Sequence, residues 1–185
     1  MIPARRRHPA TSRVAVAPPD ERDMKAFLRA VARSRALHAG FVAPPDSPRA
    51  YRAYLRRTRG HRHRGFLVRE RASGEFAGVI NLNEIVRGSF RCAYLGYYAF
   101  VPAAGTGLMG EGLGAVLGRA FRQEKLHRLE ANIQPHNAAS LGLVRHHGFR
   151  REGFSPRYLK VGGRWRDHER WALTADEWRA QRSSR

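Results

Sequence analysis

The stretch from Leu95 to Glu124 constrains this chain most, because it joins a buried strand to an amphipathic helix through a glycine-rich turn. The segment Ala93 to Val101 is aromatic and aliphatic and predicts a buried strand, which Pro102 ends. Apolar residues then recur at three- and four-residue spacing from Leu108 to Phe121, the pattern of a helix with one apolar face. The unpaired N–H groups and positive dipole end of such a helix form an anion site, best suited to a phosphate or pyrophosphate.

Two interpretations of the glycine turn follow from the residues themselves. Gly105, Gly107 and Gly110 spell G-x-G-x-x-G, the dinucleotide-binding fingerprint. That fingerprint should follow the first strand of a parallel fold directly, whereas here residues 102–104 intervene and too little chain follows for the remaining βαβ units. The alternative is a turn without a ligand. Further glycines at positions 112, 114 and 118 weaken the helix, however, and predict close approach of another backbone or a ligand.

Length and composition are those of a single cytoplasmic domain. The 185 residues, 42% of them hydrophobic, suit one domain with a core. No apolar run reaches the ~18 residues of a membrane span, and no apolar segment follows the basic start as in a signal peptide. Cys92 is the only cysteine, so we expect neither disulfides nor a thiolate metal cluster.

The formal net charge of +20 is the strongest compositional signal. Nearly all of the basic residues are arginines, since Lys25, Lys125 and Lys160 are the only lysines. Arginine favours bidentate contacts with phosphate and carboxylate. One interpretation is a partner with a strong negative field, such as RNA or a ribosome. The other is a coding bias that uses arginine wherever a solvated cation suffices.

Taken in order, the chain predicts a flexible basic arm at residues 1–12 and one domain over residues 13–180. The element order is strand, two helices, three antiparallel strands, glycine turn, helix, strand, helix and two strands. This is an α/β (α+β) pattern with a mixed, mostly antiparallel sheet, which needs helices on both faces. The predicted strands are 13–17, 65–69, 75–82, 90–101, 129–133, 149–161 and 165–173.

Capping residues support the predicted helices. Asp20 is expected to cap the first helix, and Ser47 the second, with Pro48 at its first position. Thr174, with Glu177 three residues later, is expected to cap a last short turn.

His61 and His63 form the one pattern that suggests a metal. An H-x-H pair without a visible third ligand favours a solvated basic segment, so no metal site is predicted.

The glycine turn and the element order resemble the GCN5-related N-acetyltransferases. That family's pyrophosphate loop, Q/R-x-x-G-x-G/A, falls on Ala104, Gly107 and Met109, so this chain departs from it at both ends. The resemblance implies the GNAT acyl-CoA N-acyltransferase fold. In that fold the strands before and after the central helix splay apart, and acetyl-CoA lies in the gap.

The second half resembles one branch of the family, the RimJ and RimL ribosomal-protein alanine acetyltransferases, and RimJ more closely. The segments that carry the resemblance are VRGSFRCAYLGY (86–97), GLMGEGL (107–113), HRLEANIQPHNAAS (127–140), GFRREGF (148–154) and the stretch from Tyr158 to Trp178. Five segments in the same order are specific to the family, although they identify a family better than a substrate.

The resemblance also implies the residues that contact acetyl-CoA. The pantetheine arm is expected to pair with the strand edge, the pyrophosphate to lie on the turn, and Asn137 to contact the arm. The expected contacts are Ala99, Phe100, Val101, Gly105, Thr106, Gly107, Leu108, Met109, Gly110 and Asn137.

Amine acetylation needs a base for the amine and a proton or hydrogen bond for the leaving thiolate. The resemblance places Ser140 near the CoA sulfur, although Asn137 and Ser140 also fit a helix cap. Glu84 and Glu130 are the candidate bases, each acting through water, and each is equally explained as an exposed strand carboxylate. Glu111 is expected to interact favourably with the helix dipole.

The predicted function is therefore acetyl-CoA-dependent acetylation of a protein N-terminal α-amine, with a ribosomal protein as the acceptor. One alternative keeps the fold and takes a small amine, an antibiotic or a polyamine. Another is an RNA- or ribosome-binding module with a vestigial acyl-CoA site.

Overall fold

The computed structural model describes residues 12–183, and the secondary structure of that range alternates between one sheet and six α-helices. The strands are β1 (Val14–Ala17), β2 (Arg64–Glu70), β3 (Phe76–Val86), β4 (Cys92–Ala99), β5 (Arg128–Ile133), β6 (Arg150–Val161) and β7 (Arg164–Thr174). The helices are α1 (Met24–Arg33), α2 (Arg35–His38), α3 (Pro48–Thr58), α4 (Leu108–Arg122), α5 (Ala138–His146) and α6 (Ala175–Ser183), with a 3₁₀ turn at Glu21–Asp23.

The sheet has the order β1-β2-β3-β4-β5-β7-β6, and only β4 and β5 are parallel neighbours. Side chains alternate between its two faces. Apolar residues of α4, α5 and α6 pack on one face, and those of α1 and α3 pack on the other. The predicted mixed, mostly antiparallel sheet with helices on both faces is confirmed.

The predicted caps at Ser47 and Thr174 are confirmed, whereas Asp20 caps the 3₁₀ turn that leads into α1 and not α1 itself. Asp20 and Asp23 form a reciprocal capping box on that turn, and the Ser47 hydroxyl accepts a hydrogen bond from the Ala50 N–H, 3.3 Å away. The Thr174 N–H and hydroxyl donate to Glu177, whose own N–H returns a bond to the hydroxyl. These bonds satisfy helix-end N–H groups that have no acceptor within the helix.

Three predicted elements differ in extent. The first helix, which the apolar spacing predicts as continuous through Leu37, breaks at Ser34, whose hydroxyl donates back to the Ala30 carbonyl at 2.7 Å, a contact that competes with helix continuation. The strand predicted over 90–101 spans only Cys92–Ala99, and Phe90 is exposed in the loop that precedes it. The last turn is a nine-residue helix, α6.

The predicted basic arm at residues 1–12 lies outside the described residues, except for Ser12. The Ser12 hydroxyl lies 3.4 Å from a Glu111 carboxylate oxygen at the start of α4. The limits of the single domain predicted over residues 13–180 stay a prediction.

Candidate active site

The parallel strands β4 and β5 are paired along only part of their length. Cys92 to Leu95 are in register with Arg128 to Ala131, whereas β4 continues to Ala99 and β5 to Ile133. Beyond Leu95 the two strands therefore part, and their facing edges have no shared backbone hydrogen bonds. We call this opening the β4–β5 gap.

The helix α4 begins at the open end of this gap. Its N-cap is Gly107, which has a φ of +85°, and within residues 12–183 no side chain caps the first N–H groups of α4. Gly105 has a φ of +80°, and an added Cβ there would meet no heavy atom of the described residues within 4 Å. Both glycines hold a left-handed conformation that side chains rarely adopt, and neither places a side chain over the helix end.

Arg13, at the start of β1, lies against this turn. Its backbone N–H and Nε donate to the Glu111 carboxylate, and its Nη2 donates to the Thr106 carbonyl at 3.3 Å. Burial alone would raise the pKa of Glu111, but the Arg13 hydrogen bonds outweigh it and lower that pKa. Glu111 thus does more than interact with the helix dipole, because its charge at the anion site is balanced by Arg13.

The end of β4 is held by two buried side chains that the sequence did not indicate. His38 Nε2 lies 2.7 Å from the Ala99 carbonyl oxygen, and the Val101 N–H donates to the Ser34 hydroxyl at 3.0 Å. The Phe100 N–H donates to β3 at the Ala77 carbonyl, and the Phe100 ring is fully buried. On the strand edge expected to pair with pantetheine, the Ala99 carbonyl and the Val101 N–H are thus already bonded within the protein.

The start of α5 brings a hydroxyl from each side of the β4–β5 gap together. Asn137 caps α5, with its Oδ1 accepting from the Ser140 N–H at 3.1 Å. The Tyr97 hydroxyl crosses from β4 and donates to the Ser140 carbonyl at 3.3 Å. Burial raises the pKa of Tyr97 to about 12, so this hydroxyl keeps its proton at neutral pH.

A cavity of about 290 Å³ opens between β3, β4, the end of α3 and the loop that follows α2. We call it the β3–β4 pocket. Its walls combine loop prolines, aromatic rings, two amides and one carboxylate. The lining residues are Val42, Ala43, Pro44, Pro45, Tyr54, Arg57, His63, Asn81, Asn83, Glu84, Gly96, Tyr97 and Tyr98.

Glu84, on β3, lines this pocket. It lies at an irregularity in the β3–β4 pairing and has a φ of +49°, which turns the chain away from regular strand geometry. Its carboxylate forms an ion pair with Arg62, and His63 Nε2 lies 3.7 Å from its other oxygen. His63 was expected in a solvated segment, yet its side chain is only 17% exposed because it forms part of the pocket wall.

Glu130 lies on β5, in the half of that strand that is paired with β4. It pairs in register with Tyr94, so it lies where β4 and β5 are still bonded and before the gap opens. Its carboxylate accepts from Arg128 Nε at 2.7 Å, and Arg128 also binds Glu152 on β6. The structure therefore brings Glu84, but not Glu130, into the pocket lining.

The loop after α2 joins the two parted strands. Gln134, which follows β5 and is 5% exposed, donates to the Gly40 carbonyl at 2.9 Å, and the Phe41 ring lies 5.2 Å from the His136 ring. These partners are more than 90 residues apart in sequence, so no local pattern could have indicated them. The loop that covers the β3–β4 pocket is thus anchored to the far side of the gap.

Residues 12–183 contain neither a metal-binding cluster nor a membrane-spanning helix. No group of three or more His, Cys, Asp or Glu side chains in this range could hold a metal ion. No helix in the same range is long and apolar enough to cross a membrane.

Comparisons with known proteins agree with this geometry. The chain is 43% identical over 104 residues to the [ribosomal protein uS5]-alanine N-acetyltransferase of Escherichia coli, which covers 56% of this chain and 54% of that protein. The chain thus spans about half the length of the curated relatives it matches.

Solved structures match over most of the chain. The structure of Mycobacterium smegmatis RimJ in complex with CoA-disulfide superposes with a TM-score of 0.79 at 28% identity, covering 89% of this chain and 83% of that one. A ribosomal-protein-S5-alanine acetyltransferase from Vibrio fischeri shares the fold, with a TM-score of 0.80 at 22% identity over 91% of this chain and 96% of that one. The predicted fold class is confirmed.

The model of the acetyltransferase (GNAT) domain matches residues 13–150. This range runs from β1 to the start of β6 and includes the glycine turn, the β4–β5 gap and the N-terminus of α5. The chain therefore belongs to the GNAT acetyltransferase domain family.

Proposed function

We propose that this protein is an acetyl-CoA-dependent N-acetyltransferase that modifies the N-terminal α-amine of a protein, with a ribosomal protein as the acceptor. The observation that carries the proposal is the two-sided site at the parting of β4 and β5. An uncovered helix start lies at one side of the gap, and the β3–β4 pocket lies at the other. A donor and an acceptor can thus approach the same point from opposite directions.

The residues present fit a bound acyl-CoA. Acetyl-CoA would supply the activated acetyl group as a thioester. The turn and first helical residues from Gly105 to Gly110 would hold its pyrophosphate through backbone N–H groups, as helix starts hold anions. Residues 99–101 would line the pantetheine arm. Strand alternation places the Ala99 N–H on the gap side, where it could donate to that arm. Asn137 would contact the same arm.

Ser140 and Tyr97 are proposed to serve the leaving sulfur. Both residues lie at the gap. The Tyr97 hydroxyl remains protonated, and to serve the sulfur it would turn its O–H away from the Ser140 carbonyl. Neither hydroxyl is a strong acid, so their contribution is a hydrogen bond that stabilises developing negative charge on sulfur.

The acceptor amine needs only a weak base. An N-terminal α-amine has a pKa near 8, whereas a lysine amine is about two units higher. We assign the base to Glu84, acting through water, because it is the carboxylate in the β3–β4 pocket lining. Glu130 is the second candidate, because it lies outside the pocket lining; each carboxylate is paired with an arginine, Glu84 with Arg62 and Glu130 with Arg128.

The same pocket bears on the small-amine alternative. Arg57 lies in its wall, and Arg62 binds the Glu84 carboxylate. A polyamine would place several positive charges beside these cations, which disfavours binding, whereas a peptide brings a single amine.

We further propose that the basic surface associates with the ribosome. Within the basic segment 56–64, Arg62 and Arg64 are engaged by Glu84 and Glu124, whereas Arg56, Arg59 and His61 are exposed. Electrostatic binding should weaken steeply with salt, and six phosphate contacts would lose about a thousandfold between 50 and 200 mM. Sedimentation with ribosomes over a salt series tests this, and salt-independent binding would contradict it. A ribosomal acceptor also fits the predicted cytoplasmic location.

The central experiment is an acetylation assay of the purified chain with acetyl-CoA. Peptides with different first residues are compared with polyamines and aminoglycoside antibiotics. We expect turnover on peptides with a free N-terminus and none on the same peptides after N-terminal blocking. Efficient turnover of polyamines or antibiotics alone would favour the small-amine function, and no turnover of any amine would favour a vestigial site.

A further inference from the structure

Tyr98 presents an unused polar group in the β3–β4 pocket. Its side chain is only 9% exposed, and its hydroxyl has no hydrogen-bond partner within the described chain. The nearby Tyr54 differs, because its hydroxyl donates to Asn81 Oδ1 at 2.8 Å. A buried hydroxyl without a partner costs free energy, and native proteins keep such groups rarely and for a reason.

Gly96 lines the same pocket and lacks a structural need to be glycine. Its φ is not in the left-handed region, and an added Cβ would meet a single atom within 4 Å, Asn83 Nδ2 at 3.0 Å. That atom is the far end of a side chain that can move. The absence of a side chain at Gly96 therefore leaves open space in the pocket, and neither the backbone conformation nor core packing requires a glycine there.

Gly96 lies at the point where β4 and β5 part, so the space beside it borders the β4–β5 gap. It follows Leu95, the last residue of β4 in register with β5, and Asn132 follows the partner of Leu95 on β5. The Asn132 Oδ1 atom is buried and has no partner in the described chain. By strand alternation Gly96, Tyr98 and Asn132 belong to one face of the sheet. A hydrogen-bond donor and an open space thus lie in the pocket wall, and an acceptor lies on the same face of the neighbouring strand, just beyond the last paired residues.

We propose that Gly96, Tyr98 and Asn132 form the subsite for the first residue of the acceptor chain, an unblocked N-terminus with a small side chain. The space at Gly96 limits the size of the first side chain. The Tyr98 hydroxyl donates to the first peptide carbonyl, and Asn132 Oδ1 accepts from the α-amine. This inference rests on the proposed function and names its substrate class.

The first test adds one methyl group at the proposed space. Gly96→Ala should lower kcat/KM for peptides beginning with alanine by about tenfold or more, the usual effect of one methyl in a tight pocket, and for peptides beginning with glycine by less than about threefold. The control is Gly142→Ala on α5, where an added Cβ meets nothing within 4 Å. Equal losses for both peptides would overturn the size limit.

The second test removes the unpaired hydroxyl. Tyr98→Phe should raise the peptide KM by about tenfold without lowering Tm, because no hydrogen bond within the protein is lost. Tyr54→Phe should lower Tm by a few degrees, because Asn81 Oδ1 loses its buried donor. An unchanged KM in Tyr98→Phe, or a Tm loss equal to that of Tyr54→Phe, would overturn the role of Tyr98.

Asn132→Leu separates amine recognition from folding. Its kcat/KM should fall at least tenfold for every peptide, while acetyl-CoA binding by calorimetry stays within about threefold, since its proposed partner is the amine. Unchanged peptide kinetics would overturn the role of Asn132. Wild-type protein that binds acetyl-CoA but acetylates no peptide would refute the proposed function itself. Wild-type turnover with insensitive variants would refute only the subsite.

Discussion

The two halves of the β4–β5 strand pair are held together by different means. From Cys92 to Leu95 the strands share backbone hydrogen bonds, and beside them Arg128 binds Glu130 and Glu152. Beyond Leu95 these direct contacts stop. Side chains from elsewhere take over, since Ser34 and His38 hold the end of β4, and Gln134 joins β5 to the loop after α2.

The difference shows where a site can be built in a continuous sheet. Where two strands are paired, their facing backbone N–H and C=O groups bond to each other, and no space between the strands remains for a ligand. Parted strands leave space and unpaired groups, but they need supports that hold them apart without filling the opening. We therefore expect changes in the open half to alter binding and turnover, and changes in the paired half to alter stability.

The largest effect is expected at Gly107, at the mouth of the open half. Gly107→Trp should abolish acetyl-CoA binding, with Kd raised about a hundredfold or more, because its side chain would cover the N–H groups and strain a φ of +85°. Calorimetry measures this directly. The matched control is Gly74→Trp, at a φ of +72° in the exposed β2–β3 turn, which should bind acetyl-CoA normally. Undiminished binding in Gly107→Trp would refute the assigned cofactor site.

Ser140, at the other side of the gap, should affect turnover more than binding. Ser140→Ala should lower kcat by roughly tenfold to a thousandfold and leave the acetyl-CoA Kd within a few-fold, as expected for a lost hydrogen bond to the leaving sulfur. The α5 cap should persist because Asn137 binds the Ser140 backbone N–H. Unchanged kcat would make Ser140 a structural residue only, and Tyr97→Phe would then test the remaining hydroxyl.

The two candidate bases differ in their surroundings, because Glu84 lines the β3–β4 pocket and Glu130 lies in the paired half of β5. Glu84→Gln should lower kcat/KM roughly tenfold to a hundredfold, as expected for a lost base. Glu130→Gln should keep kcat/KM and lose about 1 kcal/mol of stability, because Arg128 loses one charged partner. Peptide acetylation assays and urea unfolding of both variants measure the two quantities. The reverse pattern would assign the base to Glu130.

The smallest effect is expected at Glu177 on α6, away from the gap. There Arg150 forms ion pairs with both Glu152 and Glu177. Burial alone would raise the pKa of Glu177, but hydrogen bonds from Thr174 and Arg150 lower it to about 2, from an ordinary value of 4.5. A carboxylate with a lowered folded-state pKa stabilises the protein above its unfolded pKa, and that stability is lost as pH falls towards 2.

Glu177→Gln should therefore cost stability at pH 7, and the difference should shrink between pH 4.5 and 2. We expect about 0.5–1 kcal/mol, allowing for solvent screening of a side chain that is 36% exposed. Urea unfolding of both proteins across this pH range measures the difference. A constant difference at every pH would show that the hydrogen bonds of Thr174, and not the charge, matter.

Local interactions are what the sequence by itself determined. Asp20, Ser47 and Thr174 cap helices because a cap is made within three or four residues, so its signal is complete in a short window. The strand, glycine turn and helix around Gly107 are equally local, and hydrophobic periodicity assigned most other elements. The order of these elements, with the family resemblance, was enough to predict the mixed sheet.

Only the tertiary structure decided which side chains support and line the site. His38 reaches Ala99 across 61 positions, Gln134 reaches Gly40 across 94, and Arg13 reaches Glu111 across 98. Such contacts leave no periodic trace in the sequence, and among so many arginines nothing local marks Arg13 or Arg128 as paired. Whether a carboxylate lines the pocket, as Glu84 does, or lies outside it, as Glu130 does, depends on where strands part. That point is set by the packing of distant elements against the sheet.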